Sequence, residues 1–196
     1  MRRPQPAESS APALSEQDLV RRASPTLAGI KTGNLFQLSF EDRNEFLEEV
    51  RGFNRRLAPR GVFVIPLRFR DGKALVYMVR PSRLKKDLED ADARSLLAAE
   101  GYDVSSIGRC LSHLIDRLEH AEEFPHEIGL FLSYPSEDVR GFIDNHAANY
   151  KYTGFWKVYG DVRKAKIQFS KYRRCTETYS RCLEHGRSFD DLCVML

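Results

Sequence analysis

Residues 62–81, VFVIPLRFRDGKALVYMVRP, decide the class of fold. Two β-prone apolar runs flank Arg70-Asp71-Gly72-Lys73, and Asp-Gly between such runs is a strong short-range hairpin signal. Pro66 has no N–H to give a ladder, so the first strand is expected at a sheet edge or bulged there. A chain that opens a hairpin here and carries helical periodicity on both sides belongs to the mixed α/β or α+β class.

Upstream, Phe46, Val50, Phe53 and Leu57 recur at intervals of four, three and four, the stripe of an amphipathic helix ended by Pro59 and Gly61. Before it, SEQDLVRRASP reads as a short helix capped by Ser15 and stopped by Pro25. A glycine-containing loop follows, then a short strand at 35–40. Downstream, 82–101 and 105–122 read as helices, the second with a core stripe at Ile107, Cys110, Leu111, Leu114, Ile115 and Leu118. Then come an expected strand EIGLFLSY, a helix SEDVRGFIDNHAA, a strand GFWKVYG, a long helix from Asp161 to about His185, and a short closing helix in SFDDLCVML. The expectation is one globular domain over 15–196, with a mixed sheet of four to five strands, and a disordered Pro/Ala/Ser-rich tail over 1–14.

The composition excludes several classes. With 196 residues and a net charge of +3, the chain needs no staples and shows no polycation that would imply nucleic acid. No apolar run reaches the ~20 residues of a membrane span, and no secretory h-region follows the basic start; a cytoplasmic location is expected. None of Cys110, Cys175, Cys182 and Cys193 forms C-x-x-C, so they read as buried thiols, and no metal site is expected. Phosphate-loop, dinucleotide, nucleophile-elbow and H-E-x-x-H motifs are absent from the sequence.

Three stretches share one grammar of apolar strand, break and amphipathic helix: ALVYMVRPSRLKKDL, IGLFLSYPSEDVRGFI and GFWKVYGDVRKAKIQF. Proline ends a ladder, a following Ser or Asp caps a helix, and Glu137 and Asp138 then suit the positive end of the helix dipole. If the three joints gather on one rim, Tyr134, Ser136, Lys157 and Tyr159 line a pocket there. Lys31, from the turn SPTLAGIKTGNLF, joins them. The ligand expected is an anionic small molecule, with a flavin or nucleotide as the candidate cofactor. In GFWKVYG, alternation puts Trp156 on the core face and Lys157 and Tyr159 on the other.

Two other readings stand beside it. His126-Glu127 pairs an imidazole with an acid, which suits an enzyme using His126 as general base or metal ligand and Glu127 as partner. Residues 150–187 hold ten Lys/Arg against three Asp/Glu, and Arg163, Lys164, Lys171 and Arg174 lie off the apolar stripe of the long helix. That face is either simply solvated or a docking surface for an acidic protein.

Taken together, PTLAGIK, FPHEIGLFLSYPSEDVRGFI, YKYTGFWKVYGDVRKAKIQFSKYRRCT and SFDDL resemble a bacterial family defined only as a domain of unknown function. The likeness spans about residues 18–193. It implies no established activity, cofactor or catalytic residue. The resemblance implies that a cysteine is common among relatives at the position of Ser24.

Overall fold

A computed structural model describes residues 13–121 and 123–196. Its centre is the hairpin. β2 (Phe63–Arg70) and β3 (Lys73–Val79) pair antiparallel, and Asp71 and Gly72 both take positive φ (50° and 67°) in the two-residue turn. The register slips between Pro66 and Arg68, a bulge in an edge strand. β1 (Gly33–Ser39) pairs with the other side of β3, giving the order β1-β3-β2. β3 is thus the central strand. Ala74, Val76 and Met78 enter one core, and Leu75, Tyr77 and Val79 enter the other. That is why ALVYMV is apolar without alternation.

Each face of the sheet has its own helical layer. α1 (Glu16–Leu27) and α2 (Arg43–Leu57) cover the first face. The second is covered by α3 (Pro81–Asp87), α4 (Ala91–Ala99), α5 (Ile107–His120), α6 (Ile128–Phe131) and α7 (Ser136–Asp144). Beyond α7, β4 (Tyr152–Thr153) and β5 (Lys157–Val158) pair only with each other. The 23-residue α8 (Val162–Glu184) follows. Its first half packs Ala165, Phe169 and Tyr172 on Trp156 and Val158. Its second half lays Tyr179, Cys182 and Leu183 against the α1 side of the core.

The chain is therefore mixed helix and strand with a hairpin at its heart, but three strands form the main sheet and two more form a separate ribbon. The expected strand EIGLFLSY is a buried helical turn. Four consecutive buried residues fit either state. Helix wins because Ser133 adopts φ 59° and ends the run, and because Gly129 lets α6 press onto α7. A Cβ there would stand 2.8 Å from Val139 and 3.0 Å from Tyr134.

α1 does not stop at Pro25. It kinks at Ala23 (φ −138°), so Pro25 falls in the first turn of a new segment, where no N–H is needed. The closing segment shortens to a three-residue 3₁₀ turn, Asp190–Leu192, tied to Arg56 through Asp190.

Of the expected tail, 1–12 lie outside the described residues. Ala13 and Leu14 are anchored: their N–H groups donate to Glu49, and Leu14 is buried. Among the described residues no helix is long and apolar enough to cross a membrane.

Candidate functional site

The three joints meet. Arg83 and Asp87 of α3, Ser133 and Pro135 before α7, and Asp161 and Lys164 at the start of α8 all line one groove of about 430 Å³. Their caps differ from the simple grammar. Only Asp161 caps with its side chain, accepting from Lys164 N at 3.0 Å. At α3 and α7 a proline takes the first-turn or cap position and no side chain caps, since a proline there leaves one fewer N–H to satisfy. Ser136 is the first residue of α7 and faces a neighbouring acidic recess with Asp90, Asp92 and Glu137.

Asp138 is the knot of the region. It is buried, its Oδ2 accepts from Trp156 Nε1 at 2.7 Å, and its Oδ1 accepts from the N–H groups of Tyr159 and Gly160 at 2.7 and 2.8 Å. One carboxylate thus fastens the β5–α8 joint to α7. Helix initiation alone accounts for Glu137 in this pair of acids but misses Asp138. The two segments touch closely: Gly141 admits the Tyr159 ring where a Cβ would lie 2.4 Å from it.

Held this way, Trp156 stacks on Tyr134 (4.8 Å between centroids, 28° between planes) and stands edge-on to Phe169. Trp156 and Tyr134 both wall an open apolar cavity of about 450 Å³ between α6, α7 and the β4–β5 ribbon. Leu35, Phe124, Ile128, Leu132, Val139 and Phe142 add to the apolar lining; the charged or titratable side chains in it are His126, Lys157, Tyr134 and Asp138, whose carboxylate is already taken by its three donors. Lys157 donates to the Ala147 carbonyl at 2.7 Å and lies 4.8 Å from the Tyr150 ring. His126 is exposed, with its ring 4.8 Å from that of Phe142.

His126 and Glu127 part company. Glu127 is buried on the opposite side, accepting from Tyr102 Oη at 2.7 Å, with Arg117 Nε 3.0 Å away. The Arg117 contact is out of line for a hydrogen bond and is ionic. Burial and the Glu127 bond push the Tyr102 phenol well above its usual range. The two adjacent side chains do not converge on one reacting group.

Of the five expected ligand residues, Tyr134 and Lys157 line the apolar cavity. Tyr159 instead donates to the Ala148 carbonyl at 2.8 Å, and Ser136 turns to the acidic recess. Lys31 is buried beside Tyr134 and Tyr172. Burial pushes the Tyr134 phenol up to about 12. Ser24 is fully buried and its hydroxyl donates to the Val20 carbonyl, so it is not a free nucleophile.

Arg163, Lys164, Lys171 and Arg174 are all exposed on α8. No cluster of three or more metal-ligating side chains occurs among the described residues. Sequence reading missed Asp138, Phe124, Val139 and Phe142 as parts of one site. The tight FPHEIGLFLSYPSEDVRGFI pattern was the available signal, but its strand reading sent alternate residues to opposite faces.

A family model described as protein of unknown function, DUF3793, matches residues 19–193. The chain belongs to this family. No curated protein and no solved structure matches it. The DUF3793 match covers every element from the first turn of α1 to the 3₁₀ turn, so hairpin, Asp138 knot and cavity all lie within the family's domain.

Proposed function

We propose that this protein is a binding or regulatory module for a small, flat, anionic molecule, an aromatic acid or a flavin-type ring. The observation that carries the reading is the apolar cavity of about 450 Å³ with Trp156, Tyr134 and Phe142 in its wall and Lys157 and His126 at its edge. Ligand sites are typically ~300–1,000 Å³, mostly apolar, with a few placed polar groups. The rings offer stacking surface, and Lys157 offers one charge-assisted bond. A single lysine and an imidazole match one carboxylate or one phosphate head better than a di- or triphosphate. The divergence of His126 and Glu127 favours binding over catalysis.

Native mass spectrometry of the protein purified from its own host tests this directly. The expected result is a bound small molecule that absorbs in the near ultraviolet or visible. A ligand-free mass, with no thermal shift across aromatic acids, flavins and nucleotides, contradicts it.

A second reading rests on α8. At 3.6 residues per turn, Arg163, Lys164, Lys171 and Arg174 fall within about 100° of arc, and Ile167, 50% exposed, lies among them. An apolar residue ringed by cations suits an acidic protein partner. Capture of such a partner that weakens from 50 to 300 mM salt supports the reading, and salt-independent capture opposes it.

A further inference from the structure

The two edges of the main sheet are finished differently. Alongside β1 and β3, the Arg80 N–H donates to the Thr32 carbonyl and the Phe40 N–H to the Gly72 carbonyl, on the register of the strands between them. Even-numbered residues of β1 therefore bond to β3, and the N–H and C=O groups of Leu35, Gln37 and Ser39 point away from it. Among the described residues none of these outward groups has a hydrogen-bond partner. Leu35 is half-buried, and Gln37 and Ser39 are exposed. β2, at the other edge, is closed. The same alternation turns Val64 outward, and the Asn54 side chain takes both its N–H, at 2.7 Å, and its C=O, at 2.8 Å. Pro66 has no N–H, and a bulge follows it. Sheets block their edges by such means because an open row of donors and acceptors pairs with other extended chains. β1 carries no proline, no bulge and no lysine or arginine.

Cations flank the open edge on both faces. On the face of Leu35 and Gln37, a recess of about 360 Å³ is lined by Gln37, Arg68, Arg70, Lys73 and Leu75, with Asp71 as its one acid. Arg68 donates to the Leu118 carbonyl at 3.1 Å, and Arg70 lies 3.8 Å from Asp71. Lys73, on the strand next to β1, makes no ion pair among the described residues. On the opposite face the Arg22 guanidinium stands 5.9 Å from the centre of the Phe36 ring, with Asp18 as its partner at 3.6 Å. The acids Glu41 and Asp42 follow the end of the strand, and Asp42 is engaged in capping α2.

We propose that β1 receives an extended acidic segment of a partner protein, added antiparallel as a fourth strand from Leu35 to Ser39. Backbone bonds to Leu35, Gln37 and Ser39 hold it. Residues of the segment opposite Gln37 and Leu35 turn their side chains to the face of the basic recess. A carboxylate opposite Gln37 meets the field of Lys73 and the two arginines, and an apolar side chain two positions later packs on Leu35. A second copy of this chain fits worse, because two β1 edges laid together would bring the same cations in from both sides. The proposal does not rest on a small molecule in the apolar cavity.

The test titrates the full-length protein with a blocked hexapeptide, acetyl-EVEVLT-amide, in a calorimeter. With its third residue opposite Gln37 and its fifth opposite Leu35, those two peptide N–H groups complete the ladder. Saturable one-to-one binding is expected. Methylating the third and fifth backbone nitrogens should weaken it about tenfold or more, while methylating the second and fourth, which face away, should not. The peptide KVKVLT should bind about tenfold more weakly in low salt. Gln37→Pro removes an outward N–H and leaves the β3 ladder intact, so it should weaken binding about tenfold with an unchanged far-ultraviolet circular dichroism spectrum. If that variant does not fold, the two methylated peptides decide the question. Absence of saturable binding overturns the proposal, and so does equal affinity of the two methylated peptides. Equal binding of KVKVLT overturns the acidic assignment. A concentration-dependent dimer in sedimentation, lost in Gln37→Pro, gives the edge to a second copy and overturns the partner.

Discussion

Replacing Asp138 by alanine should loosen the whole corner where α7, the β4–β5 ribbon and the start of α8 meet. The carboxylate accepts three hydrogen bonds, from the Trp156 indole and from the N–H groups of Tyr159 and Gly160. A hydrogen bond to a charged group contributes roughly 1.5–3 kcal/mol net. Tyr159 and Gly160 are half-buried, so water takes over part of their loss. The indole N–H is enclosed and gains nothing. The expected cost is therefore about 3–5 kcal/mol rather than the full sum. Asp138→Asn should cost less, about 2–3 kcal/mol, because one acceptor oxygen remains while the NH₂ faces donors. The assay is urea unfolding followed by the emission of Trp156, the single tryptophan of the chain. At roughly 2 kcal/mol per molar urea, the alanine variant should unfold about 2 M earlier, and its native emission should shift to the red. A midpoint within about 0.5 M of the parent, with unshifted emission, would refute the role given to Asp138.

Other consequences follow from Lys31 and Glu127. The folded value of Lys31 lies below its unfolded 10.5, at about 7, so between those limits the unfolded chain binds more protons and stability rises with pH. At about 1.4 kcal/mol per pH unit, the buried ammonium costs about 5 kcal/mol below pH 7. Lys31→Met should be several kcal/mol more stable at pH 6 and should flatten the rise between pH 7 and 9.5 in thermal or urea melts. Above pH 10 the buried phenols of Tyr77 and Tyr134, raised by burial, should reverse the slope in both proteins. Glu127→Ala should cost about 2–3 kcal/mol by stranding Tyr102 and the partly exposed Arg117. His126→Ala, at an exposed ring, should change stability by less than about 0.5 kcal/mol.

The hairpin was legible because Asp71-Gly72 names its own turn and Pro66 marks the bulge. α2, α5 and α8 were legible from their stripes. Alternation in GFWKVYG correctly sent Trp156 and Val158 inward, although only Lys157 and Val158 form ladder bonds. The run IGLF carried no such signal, since a buried turn and a buried strand have the same apolar composition. Its true state depends on Gly129 meeting Val139, a contact ten residues away in sequence. Asp138 and Lys31 were hidden for a related reason. Acids in a first helical turn usually serve the dipole, and a lysine in a glycine-containing turn usually faces water. Here Tyr172 of α8 covers Lys31, and the β5–α8 joint with Trp156 supplies the donors that enclose Asp138, contacts made across long stretches of chain.

The central claim, a cavity that binds a flat anion, is tested most directly by titrating 1-anilinonaphthalene-8-sulfonate and following energy transfer from Trp156, which stands in the cavity wall. The account predicts saturable one-to-one binding to the folded protein, about tenfold weaker in Lys157→Ala and lost in Thr153→Phe. Non-saturating uptake, or equal affinity in all three proteins, would contradict it.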